Sequence, residues 1–362
     1  MQTCRSCVYP GRSFASTDVP QSPISKPGPG TTRIDFKTAY VMDTLQVRVA
    51  RIWQEAGGIK GFDLVGVKDN ALPPFTAGSH IGVHLPNGTI RHYSMCNDAS
   101  ESGRYELGVL KASDSRGGSN FMHDSVKVGD VLTIDAPRNN FQLKLDSETY
   151  VLIAGGIGVT PLLSMAKTLN KAGLKYRLYY CTRSADTTAY RDLLAGSDFA
   201  DKVHFVHDGG DPKNGLDVAA VLRDIPASGR LYCCGPGGLM AAVKTAAAHW
   251  PSDRVHFEAF TASPELRPVG SGPDQGFEVE LASSGKVLSI PADESILTVL
   301  RDHGIAIPSA CEEGICGTCI VTVLEGQPDH RDQILTDEER DSGNCITVCC
   351  SRSLTPRLKL DL

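Results

Sequence analysis

The sequence predicts a multidomain protein in which an antiparallel β-barrel precedes a parallel α/β domain and a separate C-terminal domain. Between residues 41 and 146, turn residues separate short alternating strands such as His80–His84 and Val131–Asp135, which is typical of an antiparallel barrel. Between residues 147 and 262, apolar strand-like runs alternate with helical segments, as a parallel sheet with crossover helices requires.

Two segments with the composition of flexible chain complete the domain organisation. Residues 263–275 are rich in proline, glycine and serine, which predicts a linker to the last domain, residues 276–362. Residues 1–40 have a similar composition and no periodic apolar pattern, so we expect them to form a disordered leader.

The composition is that of an ordinary globular protein. The chain has 362 residues, a formal net charge of −6 and 12 cysteines. No stretch approaches the roughly 18 consecutive apolar residues of a membrane span, and no apolar core of a secretory signal follows the N-terminus. Several cysteines stand in apolar strand-like runs, which favours a reducing compartment. We therefore expect a soluble cytoplasmic protein with no membrane and no nucleic-acid partner.

The acidic charge is concentrated in the last domain. Residues 276–362 contain 15 acidic and 7 basic residues, a balance of −8. Such a charge can steer a domain toward a basic partner, but it can equally serve only to keep a surface solvated.

Four cysteines in this domain have the spacing of an iron–sulfur site. Cys311, Cys316 and Cys319 form a C-x4-C-x2-C run, and Cys349 follows after 29 residues. This spacing predicts a plant-type [2Fe–2S] cluster. Buried structural cysteines or a zinc site are the alternatives, but zinc sites usually show paired C-x2-C knuckles. Because Cys350 directly follows Cys349, either cysteine could be the fourth ligand.

The predicted α/β domain has a glycine-rich turn between a strand and a helix. Gly155, Gly156 and Gly158 would let the backbone approach a pyrophosphate. Thr160 can cap the following helix, and Pro161 suits its first position. Taken alone, the turn could also serve only close packing of strand and helix.

A second turn of this kind contains Cys234, Gly235 and Pro236. It should lie at the same edge of the sheet, where ligands of such sheets bind, so the two turns together favour a nucleotide site. Arg183 and Asp186 follow the second strand of the domain. The guanidinium could bind a 2′-phosphate, whereas the carboxylate could accept a ribose hydroxyl.

In the barrel, Arg91 can pair with a phosphate, Tyr93 can stack on a flat ring and Ser94 can hydrogen-bond a ring nitrogen. Without further context, such a strand is more often ordinary barrel surface. A nearby turn can hold a phosphate by its amides, and it consists of Gly117, Gly118 and Ser119.

The three regions in this order resemble the phthalate dioxygenase reductase family, which includes the vanillate O-demethylase reductases and belongs to the ferredoxin-reductase superfamily. The resemblance covers residues 43–362. It is carried by the Arg-x-Tyr-Ser strand, the Gly-Gly-Ile-Gly-Val-Thr-Pro turn, the Cys-Gly-Pro turn, the Phe-Glu-Ala-Phe strand end at 257–260 and the ferredoxin cysteines.

The resemblance implies a barrel that binds FMN, with FAD less favoured, an α/β domain that binds NADH, and a β-grasp ferredoxin domain with a [2Fe–2S] cluster. It further implies a monomeric NADH-dependent oxidoreductase that supplies a Rieske-type oxygenase of aromatic catabolism. That oxygenase must be another polypeptide, because no cysteine here begins a C-x-H pair of a Rieske centre. The alternatives are a redox-responsive regulatory protein and a reductase for a haem acceptor.

The resemblance also assigns residue roles. Ser94 is expected at the flavin N5, Thr160 and Cys234 beside the nicotinamide, and Phe260 as the aromatic that shields the flavin; these four form the expected catalytic group. The family ending Cys-x-Ser-Arg implies that Cys349 is the fourth cluster ligand. The other expected cofactor contacts are Arg91, His92, Tyr93, Lys111, Gly117, Gly118, Ser119, Gly155, Gly156, Gly158, Pro161, Arg183, Asp186, Gly235 and Pro236.

Two polar features lie outside this scheme. His80 and His84 share a strand face, but two histidines without a third ligand are more often barrel residues than a metal site. The Asp-His-Arg-Asp run at 329–332 is interpreted as a polar surface turn.

Overall fold

The computed structural model describes residues 44–68, 71–86, 90–112, 118–223, 225–260, 274–309, 311–332 and 334–362. The predicted leader, most of the predicted linker and Gly117 lie outside these residues. In the part of the chain that is described, no helix is both long enough and apolar enough to cross a membrane.

The first region is an antiparallel sheet, and several of its strands are buried over most of their length. Its elements are β1 (Thr44–Ala56), β2 (Ile59–Gly66), β3 (His80–His84), β4 (Ile90–Ser94), β5 (Arg104–Leu110), α1 (Gly118–Asp124) and β6 (Val131–Asp135). The strands lie in the order β4-β3-β6-β1-β2-β5. A bridge between Met95, just after β4, and Leu107 in β5 joins the two edges and closes the predicted barrel.

The second region is a five-stranded parallel sheet with helices between its strands. Its elements are β7 (Thr149–Gly155), α2 (Val159–Lys171), β8 (Lys175–Thr182), α3 (Arg191–Ala195), β9 (Val203–His207), α4 (Val218–Arg223), β10 (Arg230–Cys234), α5 (Gly237–Ala246) and β11 (Val255–Glu258). The order β11-β10-β7-β8-β9 places a topological switch point between β7 and β10, and ligands bind outside the carboxyl ends of strands at such points.

The helix after β7 begins earlier than the sequence predicts. A short 3₁₀ turn covers Gly156–Gly158, and Gly158 is the N-cap residue of α2. Pro161 is therefore the third helical residue instead of the first, and Thr160 does not cap. The Thr160 hydroxyl instead donates to the Ile157 carbonyl at 3.0 Å.

The third region has a mixed five-stranded sheet with one helix packed against it, as the β-grasp prediction requires. Its elements are β12 (Phe277–Leu281), β13 (Val287–Ile290), α6 (Ile296–Asp302), β14 (Ile320–Glu325), β15 (Pro328–Asp329), α7 (Asp337–Ser342), β16 (Cys345–Thr347), β17 (Arg352–Ser353) and β18 (Arg357–Leu360). The main sheet has the order β13-β12-β18-β14-β16, and β15 pairs with β17.

The barrel and the parallel sheet share one hydrophobic core. Ile59, Cys96 and Phe141 from the first region pack in the same cluster as Tyr150 and Tyr190 from the second. The relative position of these two regions is therefore set by buried apolar contacts.

The buried Arg352 anchors the beginning of the third region. Its guanidinium donates to the main-chain carbonyls of Gln275, Pro291 and Glu294 at 2.7–3.1 Å. We expect Arg352→Ala to lower the free energy of unfolding of the C-terminal domain by about 2–4 kcal/mol, because buried carbonyls lose their donor. This loss is measured by urea unfolding of the full chain, monitored through the visible absorbance of the [2Fe–2S] cluster expected in the C-terminal domain.

Arg357→Ala is the matched control for this prediction. Arg357 lies in the same domain, but its guanidinium is exposed and pairs with Glu278 at 2.6 Å. Exposed ion pairs contribute little to stability, so we expect a much smaller effect. An equal loss of stability in the two variants would contradict the anchoring role of Arg352.

Candidate functional site

A cavity of about 690 Å³ lies where the three regions meet. This volume is within the range of cofactor pockets. The barrel contributes His80, Ile90, Arg91, His92, Tyr93, Ser94, Gly108, Leu110, Ala112, Ser119 and Asn140 to its lining. The α/β region contributes Ile157, Thr160, Lys244, Phe257, Glu258, Ala259 and Phe260, and the C-terminal region contributes Cys311, Glu313, Ile315, Cys316, Asp332, Ile334 and Arg340.

The barrel wall of the cavity is built from β4 and the start of α1. Arg91, Tyr93 and Ser94 all line it. A Cβ atom on Gly118 would lie 2.5 Å from Cγ of Arg91, so the glycine at this position lets the arginine pass close to the helix. A cation at one end and an aromatic ring beside it fit a flavin with its phosphate.

Ser94 has a partner that sequence reasoning did not assign a role. Its hydroxyl donates to Oε2 of Glu258 at 3.3 Å. Burial raises the pKa of Glu258 to about 8, and the hydrogen bond from Ser94 opposes only part of that effect. The carboxyl is therefore mostly protonated at neutral pH. One feature of the sequence could have indicated this partner: Glu258 is an acidic residue at the carboxyl end of β11, two positions before the predicted Phe260.

The histidines of the barrel each have a different environment. His92 lines the cavity, and its ring lies edge-on to His80 at 5.0 Å between centroids. Burial lowers the pKa of His80 to about 4 and that of His92 to about 3, so both rings are neutral. His84 instead hydrogen-bonds Asp135 at 2.6 Å. Among the described residues, no three His, Cys, Asp or Glu side chains gather around a single point, whereas a [2Fe–2S] cluster needs only two cysteines for each iron.

The two glycine-containing turns of the α/β region touch at the switch point. A Cβ atom on Gly158 would lie 2.3 Å from the Cys234 carbonyl oxygen, and one on Gly155 would lie 2.6 Å from Cδ of Pro236. A Cβ atom on Gly235 would lie 2.9 Å from Cα of Gly155. Only glycine permits this approach, which leaves backbone without side chains at the edge where a nucleotide would bind.

The next turn residue, Gly156, has a φ of +53° and open space where a side chain would be. Thr160 lines the cavity, whereas Cys234 is fully buried and is not among the lining residues. Burial and the nearby Glu258 raise the pKa of the Cys234 thiol well above its ordinary value, so the thiol stays protonated and is a poor nucleophile.

Of the other predicted cofactor contacts, some line the cavity and others do not. Phe260 lines the cavity with 39% of its surface exposed. Arg183 and Asp186 are exposed and are not among the residues that line the cavity. Lys111 is also absent from the lining, because its ammonium pairs with the Asp124 carboxylate at 2.7 Å. Gly117 lies outside the described residues.

The four predicted cluster cysteines form two thiol pairs. The Cys311 thiol lies close enough to Cys316, and the Cys349 thiol close enough to Cys319, for each pair to raise the pKa of one of its thiols, and Cys350 adds to the effect on Cys349. Two pairs of thiols fit a binuclear group with one pair for each iron. Cys311 and Cys316 line the cavity, whereas Cys319 and Cys349 are 3% and 8% exposed.

The neighbouring cysteine, Cys350, contacts Cys349 and also packs against the loop that carries Cys311 and Cys316. A Cβ atom on Gly314, which has a φ of +73°, would lie 2.5 Å from the Cys350 sulfur. The Thr347 hydroxyl lies 3.3 Å from the same sulfur. This placement supports Cys349 as the fourth ligand and Cys350 as a packing residue.

The interpretation of residues 329–332 as a surface turn is wrong. Asp329 and Asp332 are buried. Asp332 accepts the main-chain N–H groups of Ile334 and Leu335 at 3.1 and 2.8 Å, and Arg331 pairs with Asp329 at 2.6 Å. A polar run can be buried when its charges are paired and hydrogen-bonded in this way, which local polarity does not reveal.

Two family descriptions match parts of the chain. Residues 64–143 match an oxidoreductase FAD-binding domain, and residues 279–354 match a 2Fe-2S iron-sulfur cluster binding domain. The chain is 45% identical to the vanillate O-demethylase oxidoreductase of Pseudomonas putida over 311 residues, which cover 85% of this chain and 96% of that protein.

Two solved structures are also similar. Phthalate dioxygenase reductase, described as a modular structure for electron transfer from pyridine nucleotides to [2Fe–2S], has a TM-score of 0.69 and 41% identity, covering 88% of this chain and 98% of that one. An intact type IV self-sufficient cytochrome P450 monooxygenase has a TM-score of 0.76 and 38% identity, covering 88% of this chain and 41% of that one.

These similarities confirm the predicted family and fold class. The chain belongs to the family of phthalate dioxygenase reductases and vanillate O-demethylase oxidoreductases, and it is an oxidoreductase with a flavin-binding domain and a [2Fe–2S] domain.

Proposed function

We propose that this chain is the reductase component of a Rieske-type aromatic oxygenase or demethylase system, and that it passes electrons from NADH through FMN and a [2Fe–2S] cluster to the oxygenase. One observation carries the proposal: Ser94, Thr160 and the Cys311–Cys316 pair all line the same cavity. The expected flavin contact, nicotinamide contact and cluster ligands therefore lie around one space.

The flavin supplies the conversion between hydride transfer, which moves two electrons, and cluster reduction, which takes one. The chain's own residues orient the reactants and exclude water. In this proposal, the backbone at Gly155 to Gly158 receives the dinucleotide, and Thr160 positions its nicotinamide. Phe260 covers the flavin until the nicotinamide displaces the phenyl ring.

The Ser94–Glu258 pair controls the charge of the cavity. Because the Glu258 carboxyl keeps its proton at neutral pH, no negative charge opposes the arrival of a hydride. The Ser94 hydroxyl and the protonated Glu258 carboxyl can then keep a proton between them at the cavity wall. Cys234, also neutral, lies against the Gly158 turn and takes no covalent part.

The cofactor and donor identities are part of the proposal. Arg91 beside Gly118 offers one cationic end for a flavin phosphate, which suits FMN. The exposed Asp186, which follows β8, could accept a ribose hydroxyl and would then favour NADH over NADPH. Heat release of the flavin followed by mass spectrometry distinguishes FMN from FAD. The assignment of residues 41–146, 147–262 and 276–362 as the three domains, the cytoplasmic location and the monomeric state stay predictions.

The acceptor is tested by reconstitution. We expect NADH-dependent turnover when the purified reductase is mixed with a Rieske-type oxygenase of the phthalate or vanillate class. Similarity to the P450 monooxygenase favours a haem acceptor as the second candidate. Faster reduction of a P450 haem domain than of every Rieske oxygenase tried would replace the first candidate with the second.

The fourth cluster ligand has a direct test with a matched neighbour. We expect Cys349→Ser to abolish the low-temperature paramagnetic resonance signal of a reduced [2Fe–2S] cluster while NADH still bleaches the flavin. We expect Cys350→Ser to retain the signal, because the Cys350 thiol packs against Gly314. Anaerobic titration with NADH, followed by absorbance and resonance, measures both. The opposite pattern would make Cys350 the ligand.

Glu258 predicts a pH dependence. A raised pKa means that the carboxyl is protonated below about 8 and becomes charged as the pH rises through that value. We expect the limiting rate of flavin reduction by NADH to fall across this window in the wild type, because the new charge opposes hydride arrival. Glu258→Gln stays neutral, so its rate should be flat there. A variant profile that still falls near pH 8 would assign the titration to another group.

A further inference from the structure

Tyr190 has a backbone conformation that a bulky residue rarely adopts. It precedes α3 with a φ of +59°, and among the described residues only Lys68 and Glu312 are other non-glycine residues with positive φ. Such a conformation costs free energy and persists only where surrounding contacts impose it.

The contacts that impose it come from the barrel. The main-chain N–H of Tyr190 donates to Oε1 of Glu55 at 2.7 Å, near the end of β1. The N–H of Gly57, in the β1–β2 turn, donates to the carbonyl of Asp186 at 2.8 Å. Two hydrogen bonds thus hold the segment before α3 against the first hairpin of the barrel.

The side chain of Tyr190 extends from there into the shared core, with 1% of its surface exposed. Its hydroxyl lies 3.1 Å from the sulfur of Cys96. Burial raises the pKa of both groups well above their ordinary values, so the hydroxyl and the thiol stay neutral. Cys96 is two residues beyond Ser94, so the contact ties the α/β region to the end of the strand that carries Ser94.

The same hydroxyl and the Thr160 methyl both lie against one glycine of the barrel. A Cβ atom on Gly108, which lines the cavity, would lie 2.7 Å from the Tyr190 hydroxyl and 2.9 Å from Cγ2 of Thr160. Tyr190 therefore contacts the end of the strand that carries Ser94 through Cys96, and it shares with Thr160 the contact with Gly108.

We propose that Tyr190 is a positioning residue that fixes the separation between the flavin wall at Ser94 and the nicotinamide wall at Thr160. The inference rests on the proposed function, in which hydride passes between these walls. Hydride transfer depends steeply on the distance between donor and acceptor, so a small shift of one wall lowers its rate.

The test compares Tyr190→Phe with Tyr176→Phe in the full-length, cofactor-loaded chain. Tyr176 belongs to the same core, and its buried hydroxyl has no hydrogen-bond partner among the described residues. Anaerobic stopped-flow mixing with NADH gives the limiting rate of flavin bleaching and the Kd of NADH, and NADH deuterated at C4 gives the isotope effect on that step.

For Tyr190→Phe we expect the limiting rate to fall about five- to tenfold, with a larger isotope effect and a Kd within about twofold of the wild type. Tyr176→Phe should match the wild type. Cys96→Ala should reproduce the loss, Cys96→Ser should restore most of the rate, and adding Cys96→Ala to Tyr190→Phe should cause little further loss.

Three results would overturn the role: a wild-type rate in Tyr190→Phe, the same loss in Tyr176→Phe, or a weaker Kd with an unchanged rate and isotope effect. Each would leave the proposed function standing. If NADH does not reduce the flavin of the wild-type protein, the proposed function and the role of Tyr190 are both overturned.

Discussion

The shared core between the barrel and the parallel sheet is the constraint on which the site depends. Ile59, Cys96 and Phe141 pack in the same apolar cluster as tyrosines of the α/β region. Burial of this kind has no preferred direction, so it holds the two regions together without setting their exact register. The directional contacts at its edge, from Glu55 and Gly57 to the segment before α3, supply that register.

Around Ser94, burial keeps several ionisable groups uncharged. The rings of His80 and His92, the Glu258 carboxyl and the Cys234 thiol all have pKa values moved toward their neutral forms. Neutral groups at this wall leave the charges of the reactants undisturbed. The protein thus contributes distance and polarity more than acid–base chemistry.

The sequence predicts what is local and periodic. The strands His80–His84 and Val131–Asp135 have the predicted bounds, and the two glycine-containing turns lie at the same edge of the sheet, as expected. The start of α2 is less predictable, because a 3₁₀ turn can precede a helix without a change in composition. The roles proposed for Glu258 and Tyr190 depend on contacts between residues far apart in the chain, which no local pattern encodes.

Cys319 and Cys349 are members of the apolar core of the C-terminal domain as well as expected iron ligands. A domain that has not yet received iron and sulfide must therefore complete its core around two unbound thiols. Metal binding of this kind is part of the free energy of folding. We expect iron supply to govern how much of this protein survives proteolysis in the cell, so that iron starvation lowers its abundance as well as its specific activity.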